Sequence, residues 1–381
     1  MPWTSFQNIG SVMEKVRDKL RDTIYHNKPA ALFSLMHGGP MNLKVRRQNP
    51  EEAFDQEKAP PLLDLLKLHG NKSSTDPRDK VYGLMGIASD ASYFGPIDYE
   101  RSPRATFIHI ARRIIINTKK LNSICLKEND DNLYLLPSWV PDWERRNLYP
   151  AHRAFGLHIR EPPFKASGDT QADIKFLEDG EVLVASGFVV DTITTAAQPF
   201  YLHGPESEIT PTLLAFHNWF TVYVNNLGSD YLDVFARTFC GGAWYPRYSE
   251  FEKELSHRLT FFFGLIQKFL PGLLANGNPV QHLMKGSELP REVLEAREHA
   301  MVSAAALRMH AKRFILTRTR LAGLAPLEAR EGDKIVVLLG CDFPAVLRSI
   351  GGDYWKLIGE VYVDGIMYKE RVVPERSFAI R

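Results

Sequence analysis

The sequence predicts an α+β protein, with a helical N-terminal half followed by a mixed half that ends in a small antiparallel β-meander or barrel. Three observations predict it. Apolar residues recur at helical spacing through the first part of the chain. Two apolar blocks, around 213–224 and 251–270, are too long for strands. From 313 onward the pattern changes to short apolar runs separated by glycine-containing turns. The expected division is a mostly helical region over 1–147, a loop-rich linker over 148–180, and a mixed region over 181–381. Within that last region the helices fall in 211–312 and a β-rich unit in 313–367.

Each element has a local reason. Val12, Val16, Leu20 and Ile24 recur every fourth position over 11–26, an amphipathic helix. A second helix over 30–37 stops at Gly38-Gly39-Pro40, and the charged stretch 44–58 reads as a solvated loop or helix start. Pro60-Pro61 opens the short apolar helix LLDLLKLH, closed by Gly70. In SSTDPRDKVYGLMGIA, 73–88, Thr75 or Asp76 is expected to cap a helix and Pro77 to occupy its first turn. Asp79 meets the positive end of the dipole, and Val81, Leu84, Met85 and Ala88 form the buried stripe. Ser102-Pro103 starts the next helix, which over 105–118 places Phe107, Ile110, Ala111, Ile114 and Ile115 on one face. His109 lies off that face, and Arg112 and Arg113 point to solvent or to a partner. LNSICL, 121–126, reads as a buried strand, and EVLVASGFVV, 181–190, as an alternating one. Between them LPSWVPDW, 136–143, packs two prolines and two tryptophans into eight positions, a stiff clamp at a domain edge or, less simply, a ligand shelf.

Composition excludes several classes of function. The chain has 381 residues, 44% hydrophobic and 24% charged, with 47 basic against 45 acidic side chains and a net charge of +2. So even a balance gives no overall attraction to nucleic acid or to an anionic membrane. Cys125, Cys240 and Cys341 are odd in number and far apart in sequence, which suggests neither a metal site nor a disulfide framework. That usage fits a reducing compartment, and a cytoplasmic location is expected. The N-terminus turns charged before any apolar run develops, unlike a signal peptide, and LTFFFGLIQKFL, 259–270, is too short to span a bilayer.

No chemistry-bearing motif stands out. The sequence contains no Gly-rich phosphate loop, no HExxH and no CxxC, and its 12 histidines are scattered. Cys240-Gly241-Gly242 has no base placed beside it, and a buried cysteine at a turn explains it better. Gly332-Asp333 and Gly351-Gly352-Asp353 read as hairpin turns rather than metal loops. No catalytic, cofactor-binding or metal-ligating residue is therefore expected, and no cofactor. Arg78 and Asp79 are assigned an internal salt-bridge role, Trp139 and Trp143 a packing role.

Several strings, in order along the chain, carry a resemblance. They are DPRDKVYGLMGIA, then PIDYERSP, then LPSWVPDW, then LVASGFVVDTI, then RFILTRTRLAGLAP, and last GDKIVVLLG with FPAVLR and YWKLIGEVYVDGIM. Together they resemble the region downstream of the core of the fungal heterokaryon incompatibility (HET) domain family. The matching positions are Asp76, Pro77, Arg78, Asp79, Lys80 and Tyr82 in the first string, and Pro137, Trp139, Pro141 and Trp143 in the third. In the last they are Gly332, Asp333, Pro344, Leu347, Arg348, Gly359, Glu360, Tyr362 and Gly365. Tyr368-Lys369-Glu370 departs from the small-residue run usual there. The family's N-terminal core, with its WG and CINQ strings and distant likeness to TIR domains, has no counterpart here, so a truncated member is expected. The resemblance implies a non-enzymatic regulatory or recognition region for self/non-self recognition and programmed cell death (vegetative incompatibility). Its partners would be allelic or related incompatibility proteins, with no nucleic acid and no membrane span. The alternatives are a TIR-like NAD-hydrolysing enzyme or an inactive relic.

Overall fold

The computed structural model describes residues 59–69, 74–126, 133–144, 164–201, 209–228, 232–239, 241, 255–275, 278–279, 302, 305–306, 309–369 and 374–381. The elements expected at 11–26, 30–37 and 44–58 lie outside these residues, as does Cys240.

The N-terminal layer is helical. Helix α1 (Leu62–His69) buries Leu62, Leu65 and Leu66. Its first free amide, on Leu62, donates to Asp90 Oδ1 at 2.7 Å, so the cap comes from a loop 28 positions away. Helix α2 (Asp79–Met85) buries Val81, Tyr82 and Met85. Its N-cap position is Arg78, with no side-chain cap, so the capping expected from Thr75 or Asp76 is not what forms. Asp76 lies two positions before the N-cap; its carboxylate closes on the Arg78 amide at 2.9 Å and shapes the entry turn instead. Helix α3 (Pro103–Thr118) has the expected start, with Ser102 Oγ accepting from the Ala105 amide at 3.2 Å and proline in the first turn. Its buried face holds the five residues named from the sequence, together with Thr106 and Ile108.

Residues Asn122–Leu126 form a 3-10 helix, not the strand expected at 121–126. A short buried apolar run has no periodicity that separates the two conformations. Here Leu121 N–H pairs with Gly340 O at 2.9 Å, and Ile124 N–H turns back to Leu121 O at 3.0 Å.

The C-terminal part is a closed, mostly antiparallel sheet. Its long strand is β2 (Val182–Ala196), which pairs with the short β1 (Ile174–Leu177) at its start. At Gly187 it pairs on both edges, with Leu338 of β7 (Lys334–Leu338) and with Arg376 of β11 (Arg376–Ile380). Further on it pairs with β5 (Lys312–Thr317), which forms a hairpin with β6 (Ala322–Pro326). Strand β8 (Ala345–Ser349) links β7 to β9 (Tyr354–Glu360), and β9 runs parallel to β11. After Val361 the chain continues as β10 (Tyr362–Val363), paired with β6. The β2–β7 pairing closes the circuit into a barrel, which removes most of the open edge a flat sheet would leave. Two register shifts, between Val189 and Asp191 and between Ile193 and Thr195, bend β2 around it. Gly187 has no room for a side chain, since a Cβ would stand 2.4 Å from Val337 O.

Both faces of these strands are buried. Ile193, Ile315, Ala325, Ile335, Val346, Ile358 and Val363 form one cluster. The alternate residues, among them Phe314, Leu316, Val336, Leu338, Leu347 and Leu357, join the core that continues into the helices. That double burial explains why KIVVL reads as an unbroken apolar run. The segment expected to be helical up to 312 turns to strand at Lys312, after Ala311 at φ 54°.

Against this sheet pack α4 (Ile209–Leu227), α5 (Leu232–Phe239) and α6 (Leu255–Phe269). Their contact is aromatic: Phe216 lies 4.8 Å from Phe262 and 4.9 Å from Phe239, and Phe235 lies 5.6 Å from Phe314 of β5. A small hairpin of β3 (Leu274–Ala275) and β4 (Asn278–Pro279) follows. Among the described residues no helix is long and apolar enough to cross a membrane.

Candidate functional site

The residues singled out in the sequence gather at three places. The first is the entry to α2. Arg78 is bound by Asp76, not by Asp79: its Nε and Nη2 donate to the Asp76 carboxylate at 2.9 and 2.6 Å. Its Nη1 donates to the carbonyls of Arg101, at 2.9 Å, and Tyr99. The guanidinium pair holds the half-buried Asp76 carboxyl below the usual carboxylate range. Asp79 accepts from the Tyr99 hydroxyl, and Tyr82 donates to Asp98 O at 2.9 Å. The Tyr82 and Tyr99 rings meet edge to face, 5.2 Å apart. Of the two residues assigned a salt-bridge role, Arg78 forms one, with Asp76, while Asp79 takes the Tyr99 hydroxyl instead; Arg78 Nη1 and Asp79 both fasten the 98–101 loop to the helix. Lys80 and Pro77 complete this turn, with Lys80 buried.

The second place is the LPSWVPDW string. Trp139 and Trp143 are buried, as the packing role requires, and Pro137 and Pro141 of the same string are buried with them. Trp139 donates from Nε1 to Glu181 O at 3.2 Å, and its ring lies 5.5 Å from Phe176 of β1. Ser138 accepts from the Leu357 amide of β9 at 2.8 Å and donates to Arg381 O. One serine thus joins the string to β9 and to the residue that follows β11. Arg104 of α3 adds a two-pronged pair with Glu181, which holds the Glu181 carboxyl below its usual range. Arg112 of the same helix lies 5.0 Å above the Phe176 ring and donates to Asp179 O at 3.1 Å. The clamp reading of this string describes these contacts; of the two arginines expected to face solvent or a partner, Arg112 holds the barrel and Arg113 donates to Tyr93 O.

The third place is the barrel itself. Asp333 and Arg348 form a buried fork, with Nε to Oδ1 and Nη2 to Oδ2 both at 2.8 Å. Asp333 also accepts from the Arg330 amide at 2.9 Å, and Gly332 before it takes φ 90°. Gly332-Asp333 is a turn, as the sequence suggests, but its aspartate also anchors the neighbouring strand. Leu347 lies on β8, Gly359 and Glu360 pair from β9 with Val346 and Ala345, and Pro344 just before β8 accepts from Val361 N–H at 2.9 Å. Gly359 takes φ 150°, and a Cβ there would stand 2.8 Å from Pro326. Tyr362 donates to Asp364 Oδ1 at 3.1 Å; Asp364 is also gripped by Arg237 of α5 through two 3.0 Å bonds. Gly365 follows at φ 84°.

Other ties had no sequence signal of their own. Asn122 and Asp342 exchange two hydrogen bonds, at 2.6 and 2.8 Å, across 220 positions. Asp191 is buried and accepts from the Thr319 hydroxyl and amide and from the Thr192 amide. Burial pushes its carboxyl up, but these bonds and one from Thr317 outweigh it and leave the carboxyl below its ordinary range. His109 shares a 2.9 Å hydrogen bond with Phe94 O, and burial lowers its pKa. Among the described residues no three His, Cys, Asp or Glu side chains are grouped to hold a metal ion. The arrangement as a whole ties chain to chain: a helical layer, a clamp and a barrel joined by charged and aromatic contacts.

Comparison with known proteins agrees with this layout. Residues 286–377 match the family described as the Het-6 beta-barrel domain. Over 342 residues the chain is 25% identical to Heterokaryon incompatibility protein 6, OR allele, of Neurospora crassa. That alignment covers 77% of this chain and 48% of the other, so the chain spans about half the length of the curated relative it matches. No solved structure matches the chain significantly.

Proposed function

We propose that the chain is a protein of the fungal heterokaryon incompatibility (HET) family, as its likeness to the Het-6 beta-barrel domain and to a Neurospora incompatibility protein supports, and that it is a non-enzymatic recognition region, acting through protein–protein contacts in self/non-self discrimination that ends in cell death. The observation that carries the reading is the use of the motif side chains. Arg78, Trp139, Asp333, Arg348 and Tyr362 each bind another part of the same chain. Residues held this way make a rigid scaffold, and they leave recognition to the connections between elements. Tyr93, Ile97, Leu133 and Leu135 stand on such connections with half or more of their surface in water. Large apolar groups in that position are suited to a protein partner.

The partners in this reading are allelic or related incompatibility proteins, met in the cytoplasm. The test is co-purification of the full chain with such proteins from co-expressing cells, beside a variant carrying Ile97→Ser, Leu133→Ser and Leu135→Ser. Binding by the parent and loss in the folded variant supports the reading. Equal capture by both sinks the assigned surface, and no capture by either sinks the recognition role. Turnover of NAD by the purified chain above a buffer blank would overturn the non-enzymatic part.

A further inference from the structure

Cys125 and Cys341 are 216 positions apart in sequence, yet their Sγ atoms lie 3.7 Å from each other. Both are free and buried. Cys125 sits in the 3-10 helix that follows α3, and Cys341 in the turn between β7 and β8. The two backbones are already fixed side by side. Leu121 N–H pairs with Gly340 O at 2.9 Å, and Asn122 and Asp342 exchange hydrogen bonds just beyond. The sulfurs are therefore held in contact from both sides, a short approach from the roughly 2.05 Å of a disulfide bond.

We propose that Cys125 and Cys341 form an oxidative modification site, in which a small peroxide converts the two thiols into a disulfide that staples the helical layer to the barrel. Cys125 keeps 4% of its surface exposed and Cys341 none, so Cys125 meets the oxidant. Its sulfur bonds one peroxide oxygen as the O–O bond breaks, giving a sulfenic acid and one water. The Cys341 sulfur then attacks the sulfenic sulfur; the S–S bond forms, the S–O bond breaks, and the hydroxyl leaves as water with the Cys341 proton. Two thiols are oxidised and one peroxide is reduced to two waters. Contact with Cys341, and then burial, raise the Cys125 thiol well above its usual range, with Glu360 and Asp342 adding to the push. Little thiolate is present at neutral pH, so the reaction is slow and brief exposure leaves the pair reduced.

The experiment treats the folded full chain with hydrogen peroxide until its thiol titre stops falling. Remaining thiols are then alkylated in denaturant and peptides are mapped without reduction. The expected product is a monomer lighter by two hydrogens, with Cys125 linked to Cys341 and Cys240 alkylated. Its thermal midpoint should rise by roughly 5–10 °C and fall back on reduction, because a cross-link over so long a loop restricts the unfolded chain. In the Cys341→Ala chain that rise should vanish. Alkylation of both Cys125 and Cys341 in a treated chain that is still folded by circular dichroism would overturn the proposal. Linkage of either to Cys240 or to a second chain, or an equal rise in the Cys341→Ala variant, would do the same.

Discussion

Replacing Arg348 with methionine leaves Asp333 as a buried carboxylate with its strongest partner gone. The Asp333 side chain is 2% exposed and that of Arg348 16%, so water does little to replace the lost contact. Breaking one side of such a pair costs about 3–5 kcal/mol. Asp333→Leu, which strands the guanidinium, should cost a similar amount. Removing both charges together should cost less than the sum, with a coupling of about 2–3 kcal/mol. It should not be free, because the Arg330 amide and the Glu328 carbonyl each lose a partner from the same network. Arg348→Lys keeps the charge without the fork and should fall between parent and methionine variant. The assay is urea unfolding followed by tryptophan fluorescence, with midpoints and slopes compared across the four corners of the cycle. If the two single losses simply add, to within about 0.5 kcal/mol, the fork is not the unit that joins these two motif residues.

Other perturbations test the clamp, the barrel closure and the buried acid. Trp139→Ala removes a fully buried indole and its bond to Glu181 O, and should destabilise the chain by about 3–5 kcal/mol in the same assay. Gly187→Ala drives a methyl to 2.4 Å from Val337 O on the neighbouring strand, so it should lower the thermal midpoint although alanine is the smallest possible addition. Asp191→Asn should cost about 1.5–3 kcal/mol at neutral pH, as bonds to a charged acceptor become bonds to a neutral one. The folded carboxyl titrates below its ordinary value of 3.8, so its contribution is full above that pH and is lost as pH falls through the folded value. Parent and Asp191→Asn should therefore converge in stability only below pH 3.8, and a constant gap down to strong acid would refute the assignment.

The sequence by itself determined the local elements wherever local chemistry was explicit. Ser102-Pro103 starts α3, and the apolar spacing behind it names the face that is buried. The aromatic block at 259–270 becomes a packed helix, and the glycine-separated runs after 313 become strands. The LPSWVPDW string reads as a clamp because prolines and indoles have few other uses at that density. Where a short apolar run carries no period, as at 121–126, strand and 3-10 helix look alike until a neighbour decides. Nor does spacing say which charges meet: Arg78 turns back to Asp76 rather than forward to Asp79, because the entry turn points its guanidinium at the 99–101 carbonyls.

Only the tertiary structure decided how the barrel closes. Its matched family segment is 286–377, yet β2 at 182–196 joins β7 to both β11 and β5, and no feature of that strand names partners over a hundred positions away. Pairing across such distances is set by which edges remain open once the local hairpins have formed. The same long-range docking brings Asn122 to Asp342, Ser138 to Leu357 and Cys125 to Cys341. Each of these residues is ordinary in sequence. Each acquires its role only because burial of two apolar faces, one on the helices and one on the sheet, holds their backbones side by side.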